Sequence, residues 1–271
     1  KMGLSLADYV VTEAGFGADL GAEKFMHIKG HYGNLKPDAY VIVATIRALR
    51  YHGGAKKGEY ESPNLQAVKK GIENLKKHIE NAFKFGLSPV IAINHFATDS
   101  QEEIDFVKTE CEKLGVKAVL ADEFVHGGEG MKDLANAVLQ SIDEGKNNFR
   151  RLYDLNDSVE NKIETIAKEV YGADAAVFSQ KAKNQLKSIY DLGLDELPIC
   201  MAKTQKSLSD DEKKIGRPTG FKVTVREFEF AAGAGFIIPI LGDIMRMPGL
   251  PSIPAAEGMD IDKDGNIVGL S

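Results

Sequence analysis

The sequence predicts an α/β fold: a mostly parallel, doubly wound sheet with a smaller C-terminal α+β portion. Three observations predict it. Short apolar runs rich in β-branched residues recur along the chain, and amphipathic stretches long enough for helices follow them. Glycine-rich or polar turns separate the two kinds of run. Only after Lys203 does a strictly alternating run appear, the period of a half-exposed strand. Strands that alternate with helices of about ten residues or more favour parallel pairing through right-handed crossovers. The expected division is an α/β sheet domain over 1–204 and a portion over 205–271 packed on it.

Taken in order, Tyr9-Val10-Val11 reads as a first buried strand. Gly15, Gly17 and Gly21 follow, interleaved with Glu13 and Asp19, and a helix starts at Leu20. Residues 38–45 form a second strand leading into a helix at Ile46. Residues 63–85 are helical, with Leu65, Val68, Ile72, Leu75, Ile79 and Phe83 at three- and four-residue steps. Residues 90–94 and 116–120 are the third and fourth strands. Between them a helix capped by Thr98 or Asp99 carries Ile104, Val107, Cys111 and Leu114 on one face. Helices follow over 131–142, 157–170 and 180–192, with a short extended piece at 173–178 and a fifth strand at 198–202. Residues 207–214 are polar and read as a mobile loop. Residues 221–230 alternate as one strand, and Pro248-Gly249-Leu250-Pro251 reads as a rigid turn.

Composition narrows the function classes. A chain of 271 residues with 43% apolar and 27% charged side chains is ordinary for a globular protein with a sizeable core. A formal net charge of −6, with the signs interspersed, does not recruit nucleic acid. No apolar run is long enough to span a bilayer. Cys111 and Cys200 make neither a disulfide framework nor a C-x-x-C pair, which fits a reducing cytoplasm. The first residues carry no secretory h-region, and Lys1 reads as a point inside a longer polypeptide.

Gly15, Gly17 and Gly21 miss the G-x-G-x-x-G spacing, so that stretch fits either a ligand-binding turn or a tight structural one. Gly53 and Gly58 have the gap of a phosphate loop, but Glu59 stands where its lysine belongs and would repel phosphate. His27 and His31 have no third ligand nearby in sequence, and residues 260–271 lack the terminal Glu of a calcium loop. No metal site is expected. Asp264-Gly265 is read as a hairpin turn. Glu13, Asp19 and Glu23 serve either to orient a cationic or N–H-bearing group or as helix N-terminal acids. Phe96 and Phe124 lie on loops leaving the third and fourth strands, at the carboxyl ends where a parallel sheet binds ligands. Two such rings either sandwich a flat heteroaromatic ring or cap the core.

Six stretches give a more specific indication: residues 8–25 (DYVVTEAGFGADLGAEKF), 35–54 (LKPDAYVIVATIRALRYHGG), 89–100 (PVIAINHFATDS), 127–130 (GGEG), 217–221 (RPTGF) and 247–257 (MPGLPSIPAAE). In content and order they resemble the formate–tetrahydrofolate ligase family, over what would be its C-terminal half. The resemblance implies a P-loop-NTPase-like sheet. It also implies ligation of formate to tetrahydrofolate with ATP, giving 10-formyltetrahydrofolate, ADP and phosphate through formyl phosphate. Catalytic residues and the phosphate loop are then expected in the other half of the protein. ATP with Mg²⁺ and tetrahydrofolate are the implied substrates, and a monovalent cation is a further candidate. The implied partners are that N-terminal half and further copies in a homotetramer.

Carried over by motif, Phe96 and Phe124 stack the pterin ring, although the family usually has Trp at the second position and this chain has none. It often has Pro where Ala97 stands. Asp99, Asp122 and Glu123 are then acceptors for pterin N–H groups, or else helix-capping and solvated acids. Arg217, Pro218, Thr219 and Gly220 resemble the loop against adenine, or else form a plain turn before a strand. The competing reading is a non-catalytic folate- or nucleotide-binding module. A third is an unrelated ATPase relic.

Overall fold

A computed structural model describes residues 1–242, 253–263, 265 and 267–269. The chain opens with a short helix, α1 (Met2–Leu6), and an irregular exposed stretch. Tyr9-Val10-Val11 is not a strand: Val11 is 94% exposed. β-branched residues favour extension, but a strand also needs a ladder partner, and this run finds none among the described residues. The chain turns at Phe16, a non-glycine residue with φ of 62°. It then folds back so closely that a Cβ on Gly21 would sit 1.9 Å from the Gly15 carbonyl oxygen. This close approach accounts for the glycine at position 21. Helix α2 (Gly21–Lys24) runs through a π turn (Phe25–Lys29) into α3 (Gly30–Gly33).

The first sheet follows. β1 (Tyr40–Ala44) leads to α4 (Ile46–His52), whose Thr45 cap accepts from the Ala48 N–H at 3.0 Å. α5 (Leu65–Lys84) is capped by Asn64. Next come β2 (Pro89–Asn94), α6 (Gln101–Lys113), β3 (Ala118–Ala121), the short α7 (Glu123–His126) and α8 (Lys132–Asp143). The three strands pair in parallel in the order β1-β2-β3, with Ile42 opposite Ile91 and Ile93 opposite Leu120. Strand alternation then separates two apolar layers. Ile42, Ile91 and Ile93 pack with Leu49, Val68, Ile72, Ile79 and Val107 of α4, α5 and α6. Val90, Ala92 and Val119 pack on Leu134 and Ala137 of α8. The cap of α6 is Ser100, not Thr98 or Asp99. Ser100 and Glu103 form a reciprocal capping box, while Asp99 turns to the Phe96 N–H.

The second core lies beyond. α9 (Val159–Thr165) continues as a π turn (Ile166–Tyr171). β4 (Ala175–Phe178), α10 (Gln180–Asp191) and β5 (Lys222–Val225) follow, with β4 and β5 parallel. β6 (Glu227–Ala231) and β7 (Phe236–Ile240) are antiparallel, as are β8 (Asp260–Ile261) and β9 (Ile267–Val268). Val159, Ile163, Ile189, Met201, Val223, Phe228 and Ile237 share this core with Met26, Phe85 and Leu87.

Three expectations are corrected here. Residues 198–202 are not a full strand: Ile199 and Ala202 make isolated bridges to Ile237 and Ile240, because Pro239 between those partners has no N–H to give. The alternating run 221–230 is two strands in different sheets, bent at Arg226, whose N–H goes to the Ile240 carbonyl at 2.8 Å. Residues 207–214 do not form a free loop. Ser207, Leu208 and Ser209 are buried, and Asp210 accepts from the Thr224 N–H at 2.9 Å. Polar composition concealed a segment whose hydroxyls bond its own backbone. The rigid turn expected at 248–251, most of the 247–257 motif and Asp264 lie outside the described residues. The chain is thus α/β with small, mostly parallel sheets, and no single doubly wound sheet joins the strands among the described residues.

Glycine also sets the docking of α4 on α5. A Cβ on Gly53 would lie 1.8 Å from the Ala67 carbonyl oxygen, and one on Gly71 would lie 1.9 Å from that of Leu49. Gly71→Ala should therefore lower stability in urea melts, although alanine gains roughly 1 kcal/mol in helix propensity. A more stable variant would mean that the two helices have room to part.

Candidate functional site

The loops after β2 and β3 leave neighbouring parallel strands at the same end, with Asn94 opposite Ala121. The His95 N–H donates to the Ala121 carbonyl at 3.0 Å, so the loops start side by side. Phe96 is 43% exposed, on a loop closed by two local bonds: Phe96 N–H to Asp99 Oδ2 and Asp99 N–H to Phe96 O, both 2.9 Å. The Asp99 side chain is fully buried, and its Oδ1 has no hydrogen-bond donor. Burial pushes its carboxyl up, and the Phe96 N–H and the Arg50 guanidinium only partly oppose this.

On the second loop, Asp122 lies between two histidines, with His95 Nδ1 at 3.5 Å and His126 Nε2 at 3.6 Å. Its Oδ1 is buried without a hydrogen bond. Glu123 is exposed at the start of α7, and Phe124 follows it in that helix, its side chain outside the described residues. Gly130 closes the loop against Asp122, whose carbonyl oxygen would lie 2.2 Å from a Cβ there.

What holds the first loop is a buried ion pair that the sequence reading did not find. Arg50 of α4 is 0% exposed. Its Nε donates to Glu103 Oε1 at 2.8 Å and its Nη2 to Glu103 Oε2 at 2.6 Å. Nη1 donates to the Tyr60 carbonyl at 2.7 Å and Nη2 also to that of Thr98 at 3.0 Å. Glu103 in turn accepts from the N–H groups of Asn64 and Ser100 and from the Ser100 hydroxyl. Burial alone would raise the Glu103 carboxyl, but the Arg50 fork and these donors outweigh it and hold it at about 2. The available signal was an arginine on the apolar-sided helix after the second strand. A charge in such a place usually faces solvent, so the sequence alone does not mark it as buried.

The Arg217–Gly220 loop sits elsewhere, against α4 and α5. The Gly216 N–H donates to His52 Nδ1 at 3.1 Å, and the Gly216 carbonyl accepts from Asn74 at 2.9 Å. Arg217 forks onto Glu80 at 2.8 and 2.7 Å. Thr219 and Gly220 are exposed, and Pro218 is half-buried. Each of the two loops is held by α4: the Phe96 loop through Arg50 and this one through His52.

The glycine-rich segment ends in a second buried charge cluster. Asp19 pairs with the buried Lys203 at 2.7 Å, and Lys203 lies over the Tyr171 ring. Burial would raise Asp19, but Lys203 holds it below its ordinary value. Glu23 accepts from His27 Nδ1 at 2.7 Å, and His27 Nε2 accepts from the Leu152 N–H at 3.1 Å, which sets the tautomer. Glu23 and Asp19 are thus structural acids, both buried. Among the described residues no group of three or more His, Cys, Asp or Glu could hold a metal ion, and no helix is long and apolar enough to cross a membrane.

Glu103 makes the fold acid-sensitive in a stated window. Its folded carboxyl is depressed from an ordinary value near 4.5 to about 2. Its contribution is therefore present above about pH 4.5 and is lost as the pH falls towards 2. Glu103→Gln, which leaves the buried Arg50 without its bidentate partner, should lose roughly 3–5 kcal/mol in urea unfolding at pH 7. It should also show a flatter pH dependence than the native chain below pH 4.5. A variant as stable as the native chain at pH 7 would remove the pair from its central place.

The comparison with known families bears on the whole of this arrangement. The family model described as formate--tetrahydrofolate ligase matches residues 1–271, so the loops, the buried pairs and both cores fall within one match. Members of that family join formate to tetrahydrofolate, using ATP. A match over the full length given shows the family, and the chain belongs to the formate–tetrahydrofolate ligases.

Proposed function

We propose that this chain supplies the tetrahydrofolate platform and part of the adenine wall of a formate–tetrahydrofolate ligase. The observation that carries this reading is the exposed Phe96 ring, set on a rigid loop beside the Asp122–Gly130 loop at the carboxyl ends of β2 and β3. Phe96 and Phe124 stack on the pterin ring, and Asp122 and Glu123 accept from its N–H groups. Asp99, with one oxygen on the Phe96 N–H and its side chain buried beside Arg50, shapes the loop that presents the ring. Pro218, Thr219 and Gly220 lie along the adenine, and Arg217, clamped to Glu80, fixes their start.

The reaction runs through formyl phosphate: formate oxygen attacks the γ-phosphoryl group, ADP leaves, and folate N10 then displaces phosphate from the formyl carbon. Developing phosphoryl charge calls for a lysine-bearing glycine loop. The sequence contains no G-x-x-x-x-G-K-[ST]. This supports assigning the phosphoryl step to an N-terminal half of the same protein, with this chain inactive alone. Mg²⁺ would neutralise phosphate charge, and no described cluster in this chain is suited to hold it. Assembly into a homotetramer in the cytoplasm belongs to the same reading.

Calorimetric titration with tetrahydrofolate tests the platform. Stacking of a base on an aromatic ring is worth roughly 1–3 kcal/mol. Phe96→Ala and Phe124→Ala should thus each weaken binding by about tenfold or more. Unchanged affinity in both variants would remove the two rings from the folate site. Formyltransfer should appear only when an N-terminal half carrying the phosphate loop is added; full turnover by this chain alone would overturn the division of labour.

A further inference from the structure

We infer that Arg50 and His52, on opposite sides of the short helix α4, are positioning residues that set the two substrate loops separately: Arg50 the Phe96 loop and His52 the Arg217–Gly220 loop. The inference rests on the assignment of those loops to folate and adenine made above.

Two residues of α-helix turn the direction of a side chain by roughly 200°. Arg50 and His52 therefore point away from each other, and their contacts bear this out. Arg50 reaches the Thr98 carbonyl at 3.0 Å, within the Phe96 loop, and stands 3.7 Å from Asp99 Oδ1, on the residue that closes that loop. Through Glu103 it also fixes Ser100, where the loop becomes α6. On the other side, His52 Nδ1 takes the Gly216 N–H at 3.1 Å. Gly216 has φ of 74°, and a Cβ on it would lie 3.0 Å from the His52 carbonyl oxygen, so the loop presses on the end of α4.

To accept from an N–H, the imidazole must keep Nδ1 free of a proton. Burial, with His78 adding to it, pushes His52 down to about 4, so the ring is neutral at physiological pH. The helix between the two contacts is rigid. Its first turn is capped by Thr45, and glycine lets it touch α5 backbone to backbone. Asn74 and Glu80 of α5 hold the neighbouring points of the second loop. One seven-residue helix therefore sets the position of both loops.

The test uses this chain with Arg50→Lys, His52→Phe, His52→Gln and, as a control, Phe96→Ala. Amide hydrogen exchange reads the loops without ligand. Arg50→Lys should speed exchange over 96–100 and leave 216–220 unchanged. His52→Phe should do the reverse, and His52→Gln, which restores an acceptor, should bring 216–220 back. Phe96→Ala should leave both loops as they are. Calorimetry with tetrahydrofolate and with ADP should show the same split. Arg50→Lys should weaken the folate by about tenfold and leave ADP within about twofold, and His52→Phe the opposite.

Where Arg50→Lys does not fold, the paired Arg50→Met/Glu103→Leu replacement serves, since it removes both members of the bidentate pair together. Exchange that speeds in both loops with either variant, or in neither, would overturn the inference. Exchange that splits as stated while Phe96→Ala leaves folate binding untouched would instead overturn the assignment of the loops and keep the positioning role.

Discussion

The arrangement around the first sheet depends on one carboxylate. Glu103 receives five hydrogen bonds: two from Arg50, one from the Asn64 N–H and two from Ser100. Each donor belongs to a different joint of the fold. Arg50 brings in α4, Asn64 the start of α5, and Ser100 the start of α6 and the end of the Phe96 loop. A buried charge pair of this kind is tolerable only when every lone pair and proton has a partner. Here the apolar layer beneath supplies adhesion, and the ion pair supplies register. Leu49, Val68 and Val107 would pack in several similar ways, but the guanidinium fork fits one.

The second core is tied to the N-terminal segment by the same means. Asp19 and Lys203 lie far apart in sequence and meet at 2.7 Å, while Glu23 and His27 brace one helical turn against Leu152. His27 also stacks on Tyr153 with ring centroids 4.2 Å apart. The glycine-rich stretch thereby delivers two acids into the interior, which explains the close backbone contact at Gly21. Gly21, at least, is needed for the chain's approach to its own backbone.

Much of this was legible in the sequence where one physical cause dominates. β1, β2 and β3 and the helices α4, α5, α6 and α8 followed from β-branched runs and three-to-four periodicity, because burial enforces both, whereas the four-residue α7 stands where a loop was expected. The placing of Phe96 and Asp122 at the ends of adjacent strands followed from parallel topology. Tyr9–Val11 misled because propensity is local and a ladder is not. The run 221–230 misled because alternation survives a bend that moves a strand into another sheet. Arg50 and Lys203 were invisible because a buried cation is identified by its partners, which are distant in sequence.

The two π turns carry a different kind of constraint. Each widens one turn of a helix that is otherwise α, at Phe25–Lys29 and at Ile166–Tyr171, and each lies where its helix meets the second core. Such a turn amounts to one residue inserted into an α-helix. Deleting that residue would restore ordinary winding but rotate everything beyond it by roughly 100°. In the first helix His27 would swing away from Glu23 and Leu152; in the second, Tyr171 would leave its place beneath Lys203. These helices therefore tolerate exchange of many side chains more readily than a change of length. Over evolutionary time, insertions and deletions are the changes they should exclude.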